Sequence, residues 1–186
     1  TCVNNGIIGF AGDNVDSVGG IAGRMSEGTV SNCKNTGTLN CEMKDSANLA
    51  IAGGIVGKVF VSATGSEKYM SRGATIKDCE NSGTVEGQMY AGGIAGQLSN
   101  DHNDYCSTIS GCVNTGVVTA VDYTGGIIGH MNCIGDNAAG DSLLVENCEN
   151  RAALSTGSVG GIIGQFISET GNVTVKNCTN TGTLQP

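Results

Sequence analysis

Two short motifs alternate along this chain, and a chain built that way has few options other than winding. Cys-x-Asn begins at Cys2, Cys33, Cys79, Cys112, Cys148 and Cys178, and between successive copies stands a Gly-Gly-Ile-x-Gly block, starting at Gly19, Gly53, Gly92, Gly125 and Gly160. Self-similarity at roughly 30 to 46 residues marks an architecture of stacked units, each burying its apolar face only against its neighbours.

The agreement extends beyond the two motifs. Three residues before the cysteine lies a β-branched residue: Val30, Ile76, Ile109, Val145 or Val175. Six residues after it lies an aliphatic one: Ile8, Leu39, Val85, Val118, Leu154 or Leu184. Strand side chains alternate between faces, so an apolar residue and a cysteine three positions apart cannot both point inward from one flat strand. A bulge or corner must intervene. After each glycine block comes a polar residue, Arg24, Lys58, Gln97, His130 or Gln165, then an apolar one, Met25, Val59, Leu98, Met131 or Phe166. The polar row reads as outward-facing, with no partner evident for His130.

Each unit thus offers roughly three short strands separated by turn residues, and no window sustains a helical apolar period. The expected fold is all-β: a β-solenoid, or β-helix, of about five to six coils with inward Cys and Asn ladders. Residues 1–186 form one domain. Composition agrees, since 31 glycines suit tight coils and 39% apolar residues supply a core, while glycine lacks the collagen period.

The six motif asparagines, Asn4, Asn35, Asn81, Asn114, Asn150 and Asn180, are expected to stack inward, satisfy backbone groups and adopt the left-handed backbone that corners require. The six motif cysteines read as buried thiols at one corner, because a ladder spreads them along an axis whereas a metal site gathers two to four at a point. Three cysteines fall outside the motif. Cys106 and Cys133 occupy variable segments of consecutive units, where a disulfide between them would clamp two loops. Cys41 is expected to be an exposed thiol, with a core position as the alternative. The short hydroxyl runs after the asparagines, such as Asn35-Thr36-Gly37-Thr38, read as turn chemistry; a water-ordering, ice-binding face is a minor alternative that Arg151 and Ala153 interrupt.

Insertions concentrate after the glycine block: Gly19 to Cys33 is 14 residues, Gly53 to Cys79 is 26. In a solenoid they emerge on one side, so the segments 62 to 72, 99 to 106 and 132 to 141 are the expected binding loops. One of them holds Asp101-His102-Asn103-Asp104, where Asp101, His102 and Asp104 form a weak candidate metal loop.

The glycine block resembles the GLUG-motif repeat of bacterial cell-surface and secreted proteins. The matching residues are Gly20-Ile21-Ala22-Gly23, Gly54-Ile55-Val56-Gly57, Gly93-Ile94-Ala95-Gly96, Gly126-Ile127-Ile128-Gly129 and Gly161-Ile162-Ile163-Gly164, with isoleucine where the family name has leucine. Such repeats occur in adhesin-like surface proteins and beside the catalytic domains of immunoglobulin A-cleaving metallopeptidases. The resemblance implies an extracellular accessory module and carries over no catalytic residue.

Function classes narrow by chemistry. No paired carboxylates recur at a common phase, and no nucleophile or zinc motif is present, so neither a polysaccharide-active site nor any other catalytic site assembles and no cofactor is expected. A net charge of -8 disfavours nucleic acid, and no apolar stretch is long enough to insert into a membrane. Thr1 is no initiator, so 1–186 reads as a segment of a longer protein whose ends meet further repeats or further copies. The expected function is a non-catalytic adhesion or binding scaffold, or rigid spacer, at the cell surface, taking a host or neighbouring-cell glycan or protein. The alternative is a structural subunit that self-associates through its open solenoid ends into an extracellular fibre.

Overall fold

A computed structural model describes residues 1–11, 16–42, 50–61, 73–101, 106–134, 143–169 and 172–185. Among them there is no helix; every strand pairing is parallel, and the chain winds as a β-solenoid. Each coil visits five sheets in turn. The first is built from the residues just after each cysteine, such as Lys34–Asn35 and Glu80–Asn81, and has six strands. The second, also six-stranded, carries the downstream aliphatic, as in Leu39–Glu42 and Val85–Gly87. The third ends on the first glycine of the block (Ile51–Gly53, Tyr90–Gly92, Tyr123–Gly125), the fourth follows the block (Val56–Val61, Ala95–Asn100, Ile128–Cys133), and the fifth precedes the cysteine (Gly73–Lys77, Ser107–Ser110). The last three have five strands, so four rung steps separate their first strand from their last. At about 4.8 Å per step that is a rise of about 19 Å.

Five strands per coil, rather than three, is a correction with a clear cause. The two missed strands are two and three residues long, as at Glu80–Asn81 and Tyr90–Gly92, too short for alternation to register. The required corner lies immediately before the cysteine: Asn32, Asp78, Gly111, Asn147 and Asn177 have φ of 53, 53, 62, 54 and 53°. Asparagine, aspartate and glycine are the residues that tolerate this left-handed conformation. The motif asparagines themselves are not left-handed, so the expected tolerance belonged to a different residue.

The interior has two apolar columns. The larger lies between the fourth and fifth sheets and the cysteine corner and contains Ile55, Val59, Ile76, Ile94, Leu98, Ile109, Ile127 and Met131. The smaller lies between the second and third sheets and contains Leu39, Ala52, Val85, Ala91, Val118 and Leu154. Register stacks like on like: Val30, Ile76 and Ile109 in the fifth sheet, Leu39, Val85 and Val118 in the second. Each fully buried aliphatic contributes about 1.5 to 3 kcal/mol.

Between the columns the coil is pinched. A Cβ on Gly54 would overlap the carbonyl of Gly93 and the side chain of Asn81; one on Gly93 would overlap the Gly126 carbonyl and Asn114. The two sequence motifs therefore face each other across a waist that has no room for a side chain on the glycine side.

Candidate functional site

The waist is a polar seam. Asn35 Nδ2 donates to Asn81 Oδ1 (2.7 Å), Asn81 to Asn114 (2.8 Å), Asn114 to Asn150 (2.8 Å) and Asn150 to Asn180 (2.7 Å), and Asn4 donates to Asn35 (2.7 Å). The second amide hydrogen of Asn81 donates to the Gly83 carbonyl at 2.9 Å, and Asn114 Oδ1 accepts from the Gly116 N–H at 3.2 Å. Asn35, Asn81, Asn114 and Asn150 are fully buried, where an unmet amide would cost about 1 to 3 kcal/mol. The hydroxyls of Thr36, Ser82, Thr115 and Thr181 lie within hydrogen-bond reach of the carbonyl of the preceding asparagine one coil back (3.3, 3.4, 3.3 and 3.5 Å).

The motif cysteines follow the left-handed corner. Cys79 Sγ donates to the Lys77 carbonyl at 3.2 Å and Cys112 to that of Ser110 at 3.3 Å, so each thiol bridges its own bend. Cys33, Cys79, Cys112 and Cys148 are buried, Cys178 is half-buried and Cys2 is exposed. Directions alternate along the row: contact with the Cys148 and Cys79 thiols pushes the Cys112 thiol well up, the Cys112 thiol lowers Cys79 and Cys148, and burial raises Cys33. Of the two positions open to Cys41 the structure gives the core one rather than the exposed one: it is 4% exposed in the smaller column, and burial pushes its pKa up to about 11.

Insertions leave the coil between the fourth and fifth strands, where 62–72, 102–105 and 135–142 lie outside the described residues, and in the early coils between the second and third, where 12–15 and 43–49 do. The expected loops were drawn too long, because strands continue to Asn100 and Cys133. Cys106 sits half-buried just before the fifth-sheet strand of one coil, and Cys133 is buried at the end of the fourth-sheet strand of the next. His102 and Asp104 lie outside the described residues. Asp101 is half-buried, its N–H donates to the Val61 carbonyl (2.9 Å), its buried Oδ1 has no hydrogen-bond partner, and burial raises its pKa. Among the described residues no group of three or more His, Cys, Asp or Glu side chains is placed to hold a metal, and no helix is long and apolar enough to cross a membrane.

A feature that the sequence did not announce lies outside the waist, where the third and fourth sheets meet at a re-entrant corner. Tyr90 and Tyr123 are paired in the third sheet, and Lys58, Gln97, His130 and Gln165 share one register row of the fourth. Both rows face away from the core, yet Tyr90 is only 9% and His130 5% exposed, because they cover each other. The His130 ring stacks on Tyr90 at 4.4 Å and 13°, and Tyr90 and Tyr123 are 5.6 Å apart at 42°. Gln97 Nε2 lies 3.4 Å from His130 Nδ1, a hydrogen bond available when the imidazole carries its proton on Nε2; Gln97 Oε1 is buried without a partner. Burial lowers the His130 pKa and raises that of Tyr90, so both are neutral near pH 7. His130 is thus outward as expected, but it is partnered.

No family model, no curated protein and no solved structure matches the chain.

Proposed function

We propose that the chain is a non-catalytic, extracellular β-solenoid module of five to six coils, with inward cysteine and asparagine ladders, serving as an adhesion or binding scaffold or rigid spacer of a bacterial surface protein. One observation carries this reading: the waist repeats coil after coil, while chain length varies almost wholly at two corners. A rigid column that tolerates variable segments at fixed corners is a device for presenting them. The GLUG-like glycine blocks and the acidic balance of -8 support a surface setting without nucleic acid. The partner is a host or neighbouring-cell glycan or protein, and a Cys106–Cys133 disulfide would fix the presented loops.

Capture of glycans and of host-cell surfaces by the purified chain tests the reading. Exchanging 62 to 72, 102 to 105 and 135 to 142, which leave the strands intact, for short turns should reduce capture at least tenfold with little change in melting temperature. A wild-type chain that captures neither glycan nor cell surface overturns it.

The alternative reading is a structural subunit that self-associates end to end into an extracellular fibre. Sedimentation at micromolar concentration separates the readings, since long particles support the fibre and a monodisperse monomer removes it.

A further inference from the structure

One coil in the middle of the column is recessed. On the outer face of the cysteine corner and first sheet, the coil of Cys79 carries Lys77, Asp78 and Glu80, and the coil of Cys148 carries Glu146, Asn147 and Glu149. At the matching positions the coil between them has only Ser110, Gly111 and Val113. Gly111 is the one member of the left-handed corner row without a side chain; Asn32, Asp78, Asn147 and Asn177 hold the other places. The result is a cleft of about 370 Å³ whose lining includes Asp78, Glu80, Gly111, Val113, Thr115 and Arg151. The Asp78 carboxylate leans over the gap, since a Cβ on Gly111 would lie 2.6 Å from Asp78 Oδ1. Further coils lie beyond both walls, so the cleft belongs to the column rather than to either end.

The walls are charged and the floor is not. In first-sheet register Val113 lies between Glu80 and Glu149, supplying methyl groups where both neighbours supply carboxylates. On the later wall Arg151 Nη2 is 2.6 Å from Glu149 Oε2; hydrogen bonding to Glu149, and then the charge of Glu80 across the cleft, favour the ionised guanidinium. On the earlier wall Glu80 pairs with Lys34 at 3.0 Å, whereas Asp78 has no ion pair among the described residues. Three carboxylates, Asp78, Glu80 and Glu149, thus stand against two bases, Lys34 and Arg151. The charge left over is the Asp78 carboxylate, beside the gap at Gly111. No insertion leaves the coil along this face, since Asp78 to Val85, Gly111 to Val118 and Asn147 to Leu154 are of equal length. A matching occupant brings a cationic head to Asp78 and Glu80, an apolar stem to Val113 and a carbonyl oxygen to Arg151. A basic side chain on a polypeptide has all three.

We infer that the recessed coil is a docking groove for an extended segment of a protein partner, which lays one lysine or arginine side chain over Val113 with its cationic head against Asp78 and Glu80. The inference rests on the reading of the chain as a non-catalytic binding module, and of the two partner classes named there it selects protein. A second copy of this chain would bring a net charge of -8 of its own, so charge favours a foreign, basic segment. A free cation without stem or carbonyl would leave Val113 and Arg151 unused.

The test uses the whole 186-residue chain and short acetylated, amidated peptides of serine, threonine and glycine with one central arginine, lysine or glutamine. Titration calorimetry gives the affinity, and amide and methyl NMR shifts give the place. Peptides with a central base should shift Gly111, Val113 and Thr115, bind about tenfold more tightly than the glutamine peptide, and weaken as salt is raised. Gly111→Asn puts into the gap the residue that the row already carries at Asn32 and Asn147, so it should weaken binding about tenfold without lowering the melting temperature. Asp78→Asn keeps a residue suited to the corner and removes the charge; it should weaken only the basic peptides, about fivefold. If basic and neutral peptides bind alike, if none shifts these residues, or if G111N binds as tightly as wild type, the inference is wrong. If arginine amide or spermidine alone shifts the same residues as strongly as the peptides, the cleft takes a free cation and the assigned partner is wrong. If G111N keeps cell-surface capture while loop exchange removes it, the module reading stands and the groove falls. If the basic peptides bind as expected while neither glycan nor cell surface is captured, the groove stands and the scaffold reading falls.

Discussion

The waist and the re-entrant corner lie on opposite sides of the same glycine turn, yet they obey opposite rules. At the waist each coil repeats the same pair, glycine against asparagine: Gly54 with Asn81, Gly93 with Asn114, Gly126 with Asn150. At the corner the residue varies along the column, from Ser17 to Ile51, Tyr90, Tyr123 and Ser158. Identity is enforced where one backbone passes so close to another that a single methyl has nowhere to go. Diversity is allowed where a side chain leaves the coil. The period of this protein therefore reports its interior, and departures from the period point to what it presents.

The sharpest way to break that contrast is to put a methyl into the waist. Gly93→Ala drives a Cβ into the Gly126 carbonyl and the Asn114 amide, so it should cost about 3 kcal/mol or more and leave little folded protein in thermal melts followed by circular dichroism. An unchanged melt would mean the waist is looser than described. Next in size is Asn114→Ala, which removes the acceptor of the Asn81 Nδ2 and of the Gly116 N–H and the donor to Asn150 Oδ1; about 2 to 3 kcal/mol should be lost in urea titration. Asn4→Ala, at the partly exposed start of the same seam, should cost about 1 kcal/mol or less.

Cysteine replacement comes third. Cys112→Ala leaves a small void among packed thiols and should cost about 1 to 2 kcal/mol, whereas Cys2→Ala, exposed at the surface, should cost almost nothing. The smallest effect belongs to the corner. Burial lowers the folded-state pKa of His130 below its ordinary 6.5, so the unfolded chain takes up the proton first. Its contribution is fully present above about pH 7 and is lost as pH falls through 6.5 toward the folded pKa. His130→Gln, the residue already at Gln97 and Gln165 in this row, should remove that part of the decline in melting temperature between pH 7 and 5. Asp101, whose pKa burial raises, acts with the opposite sign, favouring the folded state as it protonates.

How much of this was legible from residues alone follows from the same contrast. The winding, the buried aliphatics six residues after each cysteine and the need for a corner before it were readable, because interior constraints repeat and repetition is visible. The position of that corner was not, although Asn32, Asp78, Asn147 and Asn177 spell it out, because polar residues before a cysteine look like any turn. Cys41 was left between surface and core because its only guide was absence from the motif, and the structure gives the core position. The Tyr90–His130 stack joins residues 40 apart on successive coils. Nothing in a linear pattern says which outer faces turn toward each other, since that depends on the angle the glycine turn gives the backbone. The cysteine and asparagine positions were found by repetition, the tyrosine corner only by geometry.

The amide contacts of the waist run one way. In each contact the nitrogen belongs to the earlier coil and the oxygen to the later one, from Asn4 through to Asn180. Dipoles aligned head to tail reinforce one another. The column is thus vectorial: whatever adjoins it, a sister coil or a second molecule, meets an oxygen at one face and an N–H at the other. Assembly in a single sense continues the row of dipoles, and assembly in the reverse sense sets like poles together.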